Sequence, residues 1–239
     1  MVLLLETNKI KGLVLLMIEL TILMPCLNED NTIGRCIEKA QKFIDLNNLN
    51  AEIVVVDNGS TDKSIEIINS YKEVTLYNCN KKGYGNVLRY GLKKSKGKYI
   101  IFADSDLSYD FLAIEPILTE LRNGQDYVQG NRFKGYIEKG AMPFTHKLGA
   151  PLLSLIANLK YKTPINDYHC GLRGIRRSIL EKIELKSEGM EFATELIQKT
   201  SGFKQKEIPI VLYKDDRSRK SHLRTVRDGF RHLRYIIMN

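Results

Sequence analysis

The sequence predicts one α/β domain built on a mostly parallel central sheet, followed by a basic amphipathic helix. Three observations lead there. From residue 19 onward, short unbroken apolar runs alternate with helix-period segments. Several of these runs end in polar clusters, as at the carboxyl ends of strands in an open α/β sheet. The 239 residues, 43% hydrophobic and 27% charged, suffice for one large core and exclude a disordered or disulfide-stapled chain.

Residues 1–16 stand apart as an N-terminal extension. Two apolar stretches there are separated by Lys9 and Lys11, without the charge-first layout or cleavage site of a signal peptide. Strands are expected over 21–24, 53–56, 74–77 and 99–103, each rich in β-branched or aromatic residues, as in strands covered on both faces. Helices are expected over 32–44, 64–71, 84–94 and 111–122. The first carries Ile33, Ile37, Ala40 and Ile44 on one face, and the last is stopped by Asn123-Gly124. After a strand signal at 127–129 the alternation stops. Residues 131–180 mix loop, helix and strand signals, so this half is the expected seat of a second substrate.

The domain so read covers 17–213, and 214–239 form a basic C-terminal segment with eight Lys or Arg against three Asp. From about 221 to 237 the segment reads as a helix. Leu223, Val226, Phe230, Leu233 and Ile237 form an apolar stripe, flanked by Arg224, Arg227, Arg231 and Arg234. The segment holds more than half of the formal net charge of +9, which calls for an anionic partner. Cys26, Cys36, Cys79 and Cys170 form no CxxC pair, which excludes a zinc knuckle or a thioredoxin motif and leaves reduced, mostly buried thiols. No run approaches the roughly 20 apolar residues of a membrane-spanning helix, so the chain is expected to be soluble or peripheral.

The chemistry gathers at strand ends: Pro25-Cys26-Leu27-Asn28-Glu29, Asp57-Asn58-Gly59-Ser60-Thr61-Asp62 and Asp104-Ser105-Asp106. Together they describe one polar crevice. An isolated Asp-x-Asp is more often a solvated turn with capping aspartates. Beside the other two clusters, Asp104 and Asp106 read as holding a divalent cation, Mg2+ or Mn2+, that grips a diphosphate. Gly83-Tyr84-Gly85, beside Lys81 and Lys82, has Leu88 at the third glycine of a dinucleotide loop, so it reads as flexible backbone and positive charge near a diphosphate. His146 and His169 read as structural or capping residues.

In order and spacing, these three clusters and their strands resemble the family 2 glycosyltransferases with a GT-A fold. Gly130-Asn131-Arg132-Phe133, Asp167-Tyr168-His169-Cys170-Gly171-Leu172-Arg173-Gly174, Gly189-Met190-Glu191-Phe192 and 227–234 are similar to the polyprenyl-phosphate branch, which includes dolichyl-phosphate mannosyltransferase and undecaprenyl-phosphate glycosyltransferases. The resemblance covers residue 19 to the end. It implies an inverting, metal-dependent hexosyltransferase that moves a sugar from a UDP- or GDP-type nucleotide-diphosphate sugar to a polyprenyl phosphate. It implies a peripheral position on the cytoplasmic face of an anionic membrane surface. Many relatives continue into transmembrane helices, so a separate membrane-anchoring partner is also expected.

The resulting assignments are nucleotide binding for Pro25, Leu27, Asn28, Glu29, Asp57 (near the base), Asn58, Gly59, Ser60, Gly83, Asp104 and Ser105. Asp104 and Asp106 take the metal, and Asp104, Asp106 and Asp167 the catalytic roles. Arg132, Arg173, Arg217, Arg219, Lys220 and Ser221 meet the acceptor phosphate. Two departures stand out. Ser108 replaces the glutamine or threonine of many relatives, and Arg219-Lys220-Ser221-His222-Leu223-Arg224 replaces Gly-Lys-Ser-Lys-Leu-Arg.

Two alternatives differ in chemistry. A hydroxyl acceptor on a peptide or glycan must lose a proton, so it needs a general base such as Asp167 or Glu191, whereas a phosphate needs only positive charge to position it. A nucleic-acid-binding module would explain the arginines but leave the acidic crevice without purpose, so no nucleic acid is expected as partner.

Overall fold

The computed structural model describes residues 17–216 and 225–239. Seven strands, β1 (Leu20–Cys26), β2 (Ala51–Asp57), β3 (Val74–Asn78), β4 (Tyr99–Phe102), β5 (Tyr127–Ile137), β6 (Arg173–Arg176) and β7 (Gln205–Leu212), form one sheet in the order β3-β2-β1-β4-β6-β5-β7. β1 pairs in parallel with β2 and β4, and β2 with β3, so their carboxyl ends share one edge. β6 runs antiparallel between β4 and β5, and β7 returns parallel to β5. The mostly parallel sheet is thus as expected.

Alternate strand residues feed two cores on opposite faces. Ile22, Met24, Ile53, Val55 and Ile101 face α1 (Ile33–Leu46), whose Ile33, Cys36, Ile37, Ala40, Phe43 and Ile44 are buried at helical spacing. Leu23, Val54, Val56, Ile100 and Phe102 face the other core. Burial stabilises each large side chain by about 1.5–3 kcal/mol, so a charge at Ile37 would cost the α1 layer its seat. α2 (Ser64–Asn69) is shorter than expected, and α3 (Tyr84–Lys94) matches.

The helix expected over 111–122 is divided. Asp110 accepts the Leu112 N–H at 3.1 Å and caps a 3-10 turn at Phe111–Ala113; α4 (Glu115–Arg122) then starts with Pro116 in its first turn. The irregular stretch contains α5 (Phe144–Tyr161), α6 (Arg177–Leu180) and the unforeseen β6, and beyond it lie α7 (Phe192–Lys199) and the unforeseen β7. β7 tolerates Pro209 because it is the sheet edge. The last helix, α8 (Thr225–Met238), packs on α5 and α7 with His232 and Ile236 buried, so it is part of the folded body. Residues 1–16 and 221–224 lie outside the described residues.

All four cysteines are buried and free, as expected. Burial pushes the thiols of Cys26, Cys36 and Cys170 up to about 12, which keeps them protonated and unreactive.

Candidate active site

The first two clusters are laced together at the ends of β1 and β2. Asn28 adopts a left-handed φ of 56°, its N–H donates to Ser60 Oγ at 2.8 Å, and its Oδ1 accepts the Thr61 N–H at 2.7 Å. The Glu29 N–H donates to Ser64 Oγ at 2.7 Å. Asp57 is buried, and its carboxylate accepts the N–H groups of Gly59 (2.7 Å) and Ser60 (3.0 Å).

Asn58 carries this unit over to the loop before α3. Its Nδ2 donates to the carbonyls of Cys79 (2.9 Å) and Lys81 (3.0 Å), and its Oδ1 accepts the Gly83 N–H at 3.0 Å. Lys82 Nζ donates to the Asn58 carbonyl. Gly59 has φ 87°, and a Cβ there would lie 2.3 Å from that ammonium, so the lysine's approach requires glycine. A cavity of about 400 Å³ opens among Asp57, Asn58, Gly59, Asn78, Asn80 and Lys82. A larger one, about 550 Å³, lies between α3 and residues 177–185 and contains none of the crevice carboxylates.

The third cluster joins the first through the Ser105 hydroxyl, which donates to the Pro25 carbonyl at 2.7 Å; Leu27 is half-buried in the same loop. Asp104 is partly exposed, whereas Asp106 is buried. Asp106 Oδ1 accepts the Ser108 N–H at 2.9 Å and the Ser108 hydroxyl, so the residue that departs from the relatives' pattern orients this carboxylate. Leu107 between them has φ 66°, a conformation that costs a non-glycine residue about 1–2 kcal/mol and so marks a loop held in one shape by its surroundings. Tyr84 hydrogen-bonds Asp104, and its phenol stays protonated through burial first and the Asp104 charge next.

Among the described residues no cluster of three or more His, Cys, Asp or Glu forms a complete metal cage. Two carboxylates suit Mg2+ or Mn2+ completed by substrate phosphate oxygens and do not suit a closed zinc site.

On the far side of the crevice, a register shift in the β5–β7 pairing between Asn131 and Tyr136 takes the residues between them out of the ladder. Arg132 there clasps Asp167: Nε donates to Oδ2 at 2.8 Å, Nη2 to Oδ1 at 2.7 Å and the backbone N–H to Oδ2 at 3.0 Å. The Asp167 side chain is 0% exposed and sits opposite an arginine whose proton the pairing holds more tightly still. Asp167, expected in a catalytic role, is thus held on both oxygens by Arg132. Arg173, expected near the acceptor phosphate, is 1% exposed, and its Nε donates to the Cys170 carbonyl at 2.9 Å.

Glu191 is held by Arg231, with Nη2 to Oε1 at 2.9 Å and Nε to Oε2 at 2.8 Å. Arg231 thus turns inward from the predicted basic stripe. His169 packs edge-on against His232 with ring centroids 4.4 Å apart, and burial lowers the pKa of both, as structural histidines require. Arg217, Arg219, Lys220 and Ser221 lie outside the described residues. The sequence reasoning did not single out Ser64, Tyr84, Ser108's grip on Asp106, or Gly171. Tyr84 was within reach, because it stands between two glycines already noted beside the lysines.

Residues 21–184 match the Glycosyl transferase family 2 profile. The chain belongs to glycosyl transferase family 2. It is 34% identical over 224 residues to the low-salt glycan biosynthesis hexosyltransferase Agl6 of Haloferax volcanii, covering 92% of this chain and 53% of that protein. It is 27% identical over 201 residues to the dolichol-phosphate mannosyltransferase of Pyrococcus furiosus, covering 80% and 55%. The chain therefore spans about half the length of these relatives. Glucosyl-3-phosphoglycerate synthase from Mycobacterium tuberculosis superposes with a TM-score of 0.73 at 17% identity, over 92% of this chain and 79% of that one. A crystal of the same synthase with Mn2+, UDP and glucosyl-3-phosphoglycerate gives 0.70 at 18% identity, over 92% and 77%. This family 2 chain thus has the GT-A fold, and its crevice lies at the sheet edge where β1, β2 and β4 end.

Proposed function

We propose that this family 2 glycosyltransferase transfers a hexose, with inversion, from a nucleotide-diphosphate sugar to a polyprenyl phosphate. One observation carries the choice of acceptor. Asp167, one carboxylate considered as a general base, is clasped by Arg132 through both oxygens, and Glu191, the other, is ion-paired with Arg231. A hydroxyl acceptor needs a carboxylate free to take its proton, and a phosphate, already anionic, does not. Relatives named dolichol-phosphate mannosyltransferase and dolichyl-phosphate hexose transferase support the reading.

The nucleoside occupies the cavity lined by Asp57, Asn58 and Gly59, and Pro25, Leu27, Asn28, Glu29 and Ser60 of the adjoining loops complete its binding. Gly83, Lys82 and Ser105 approach the diphosphate. Asp104 and Asp106 would hold Mg2+ or Mn2+, whose charge stabilises the departing diphosphate; the neighbour crystallised with Mn2+ and UDP supports this assignment. An acceptor phosphate oxygen attacks the anomeric carbon opposite the leaving group. The new C–O bond forms as the bond to the diphosphate breaks, the electron pair leaves with the nucleoside diphosphate, and no proton moves. The Arg132 charge is offset by Asp167, so attraction of the acceptor anion falls largely to Arg217, Arg219 and Lys220, with Ser221 as a neutral donor. Among the described residues no helix is long and apolar enough to cross a membrane. The reading places the chain peripherally on the cytoplasmic face of an anionic membrane.

The test is a panel of labelled UDP- and GDP-hexoses incubated with polyprenyl phosphate, with and without a chelator. Label that enters the organic phase and is lost with chelator supports the proposal. Label appearing only on a water-soluble hydroxyl acceptor overturns it.

A further inference from the structure

α5 presents an apolar stripe to solvent. Phe144, Leu148, Leu152, Leu155 and Leu159 recur at intervals of four, four, three and four residues, and each is 58–74% exposed. That spacing keeps them on one side of a helix over about 22 Å. The opposite side is spoken for. Ser154 and Ala157 are buried, Ser154 Oγ accepts the Tyr168 N–H at 3.2 Å, and Asn158 Nδ2 donates to the Ile165 carbonyl at 2.5 Å. The inner face of α5 therefore holds the segment that carries Asp167, the anchor of Arg132. α8 packs beside it, joined by Lys160 Nζ donating to the carbonyls of Ile236 (2.7 Å) and Ile237 (3.1 Å), and adds exposed Phe230, Ile237 and Met238.

We infer that the outer face of α5, extended by α8, is a docking surface for an anionic lipid bilayer. Charge selects this occupant. With Arg231 turned inward onto Glu191, the two helices carry Lys147, Lys160, Arg227 and Arg234 against one acid, Asp228, and α5 itself has no Asp or Glu. Two copies of such a surface repel each other, whereas acidic headgroups neutralise it. An amphipathic helix of this kind lies in the interface plane with its apolar side among the headgroups and acyl boundary. Contiguous exposed apolar surface of this extent on a folded protein marks an interaction site. The inference rests on the lipid-phosphate reading for its partner, and it moves the main membrane contact from the C-terminal segment to α5.

The test uses the full chain and vesicles of phosphatidylcholine with and without phosphatidylglycerol. The parent is expected to co-sediment with the anionic vesicles, less so at high salt. Leu148→Ser, Leu152→Ser and Leu155→Ser combined should lower partitioning at least about tenfold, since they remove most of the apolar area that the helix can bury. Circular dichroism and transfer to a short-chain, water-soluble polyprenyl phosphate should match the parent, because the altered side chains face away from the core and crevice. Undiminished vesicle binding by the variant overturns the inference. So does a parent that ignores vesicles and sediments as a dimer which the substitutions dissolve. Vesicle binding needs no sugar donor, so binding without any transfer to polyprenyl phosphate would defeat the functional proposal and leave the docking surface standing.

Discussion

Gly171 lies against Asp104 so closely that a Cβ at position 171 would fall 2.7 Å from Asp104 Oδ2, and 2.8 Å from the ring of buried Tyr109. Real Cβ contacts are not that short, and the Tyr109 hydroxyl already accepts the Gly171 N–H at 2.8 Å, so the ring has little room to retreat. Gly171→Ala should therefore displace the Asp104 carboxylate. Turnover is expected to fall by roughly 10²-fold, the usual cost of misplacing a reacting group by about 1 Å. Steady-state kinetics at saturating donor checks this, and near-parental turnover would show that the contact is slack.

On the proposal that Asp104 and Asp106 hold the metal, Asp104→Asn and Asp106→Asn remove its ligand charge while keeping side-chain size. Each should cut transfer at least about 10²-fold. Asp104→Asn should leave the melting temperature within a few degrees of the parent. Asp106→Asn should lower it more, because Asp106 is buried and orders Ser108. Parallel measurement of melting and of chelator-sensitive turnover checks both halves, and retained metal-dependent activity in either variant would remove the assignment.

Arg132 and Asp167 should behave as one unit. Asp167→Asn leaves a buried guanidinium without its counter-charge, a change that costs about 3–5 kcal/mol in comparable buried pairs. Arg132→Gln leaves the carboxylate stranded in the same way. The double variant should lose far less than the sum of the singles. Urea unfolding of the four proteins measures the coupling, and additive losses would show that the pair does not act together.

Acid should loosen the attachment of α8. Burial, reinforced by the charges of Arg173 and Arg231, brings His232 down to about 4, while its Nδ1 bonds Thr194 Oγ1 at 2.8 Å. In the unfolded chain it titrates near 6.5. Between those values the unfolded state binds the proton and the folded state does not. Stability is thus complete above about pH 6.5 and falls as pH drops toward 4, by about 1.4 kcal/mol per unit for one such group. Buried His169 shifts in the same direction. His232→Gln, which keeps a hydrogen-bonding side chain, should flatten the dependence of melting temperature on pH over that window; superimposable slopes would refute the assignment.

The β1–β4 half was legible because its signals are local. Apolar runs such as 53–56 announce covered strands, and the polar residues that follow each run are the crevice itself. The β5–β7 half was not. β6 is four residues long with Gly174 inside it, and β7 contains Pro209, so neither has a strand signature apart from its neighbours. α5 was obscured by Gly149 and Pro151 and by apolar residues on both its faces. For Asp167, spacing cannot reveal that Arg132, reached only through the fold, closes over both its oxygens. The same limit hid the contact between Gly171 and Asp104.

The insertion of β6 between β4 and β5 has a consequence for how the chain is made. β1 to β4 pair with one another from residues that leave the ribosome early, whereas the free side of β4 must wait for Arg173–Arg176. During that interval Tyr99–Phe102, all four buried in the finished protein, form an open apolar edge. Such long-range pairing is slow to close, so β4 stays unpaired on that side until β6 has been made.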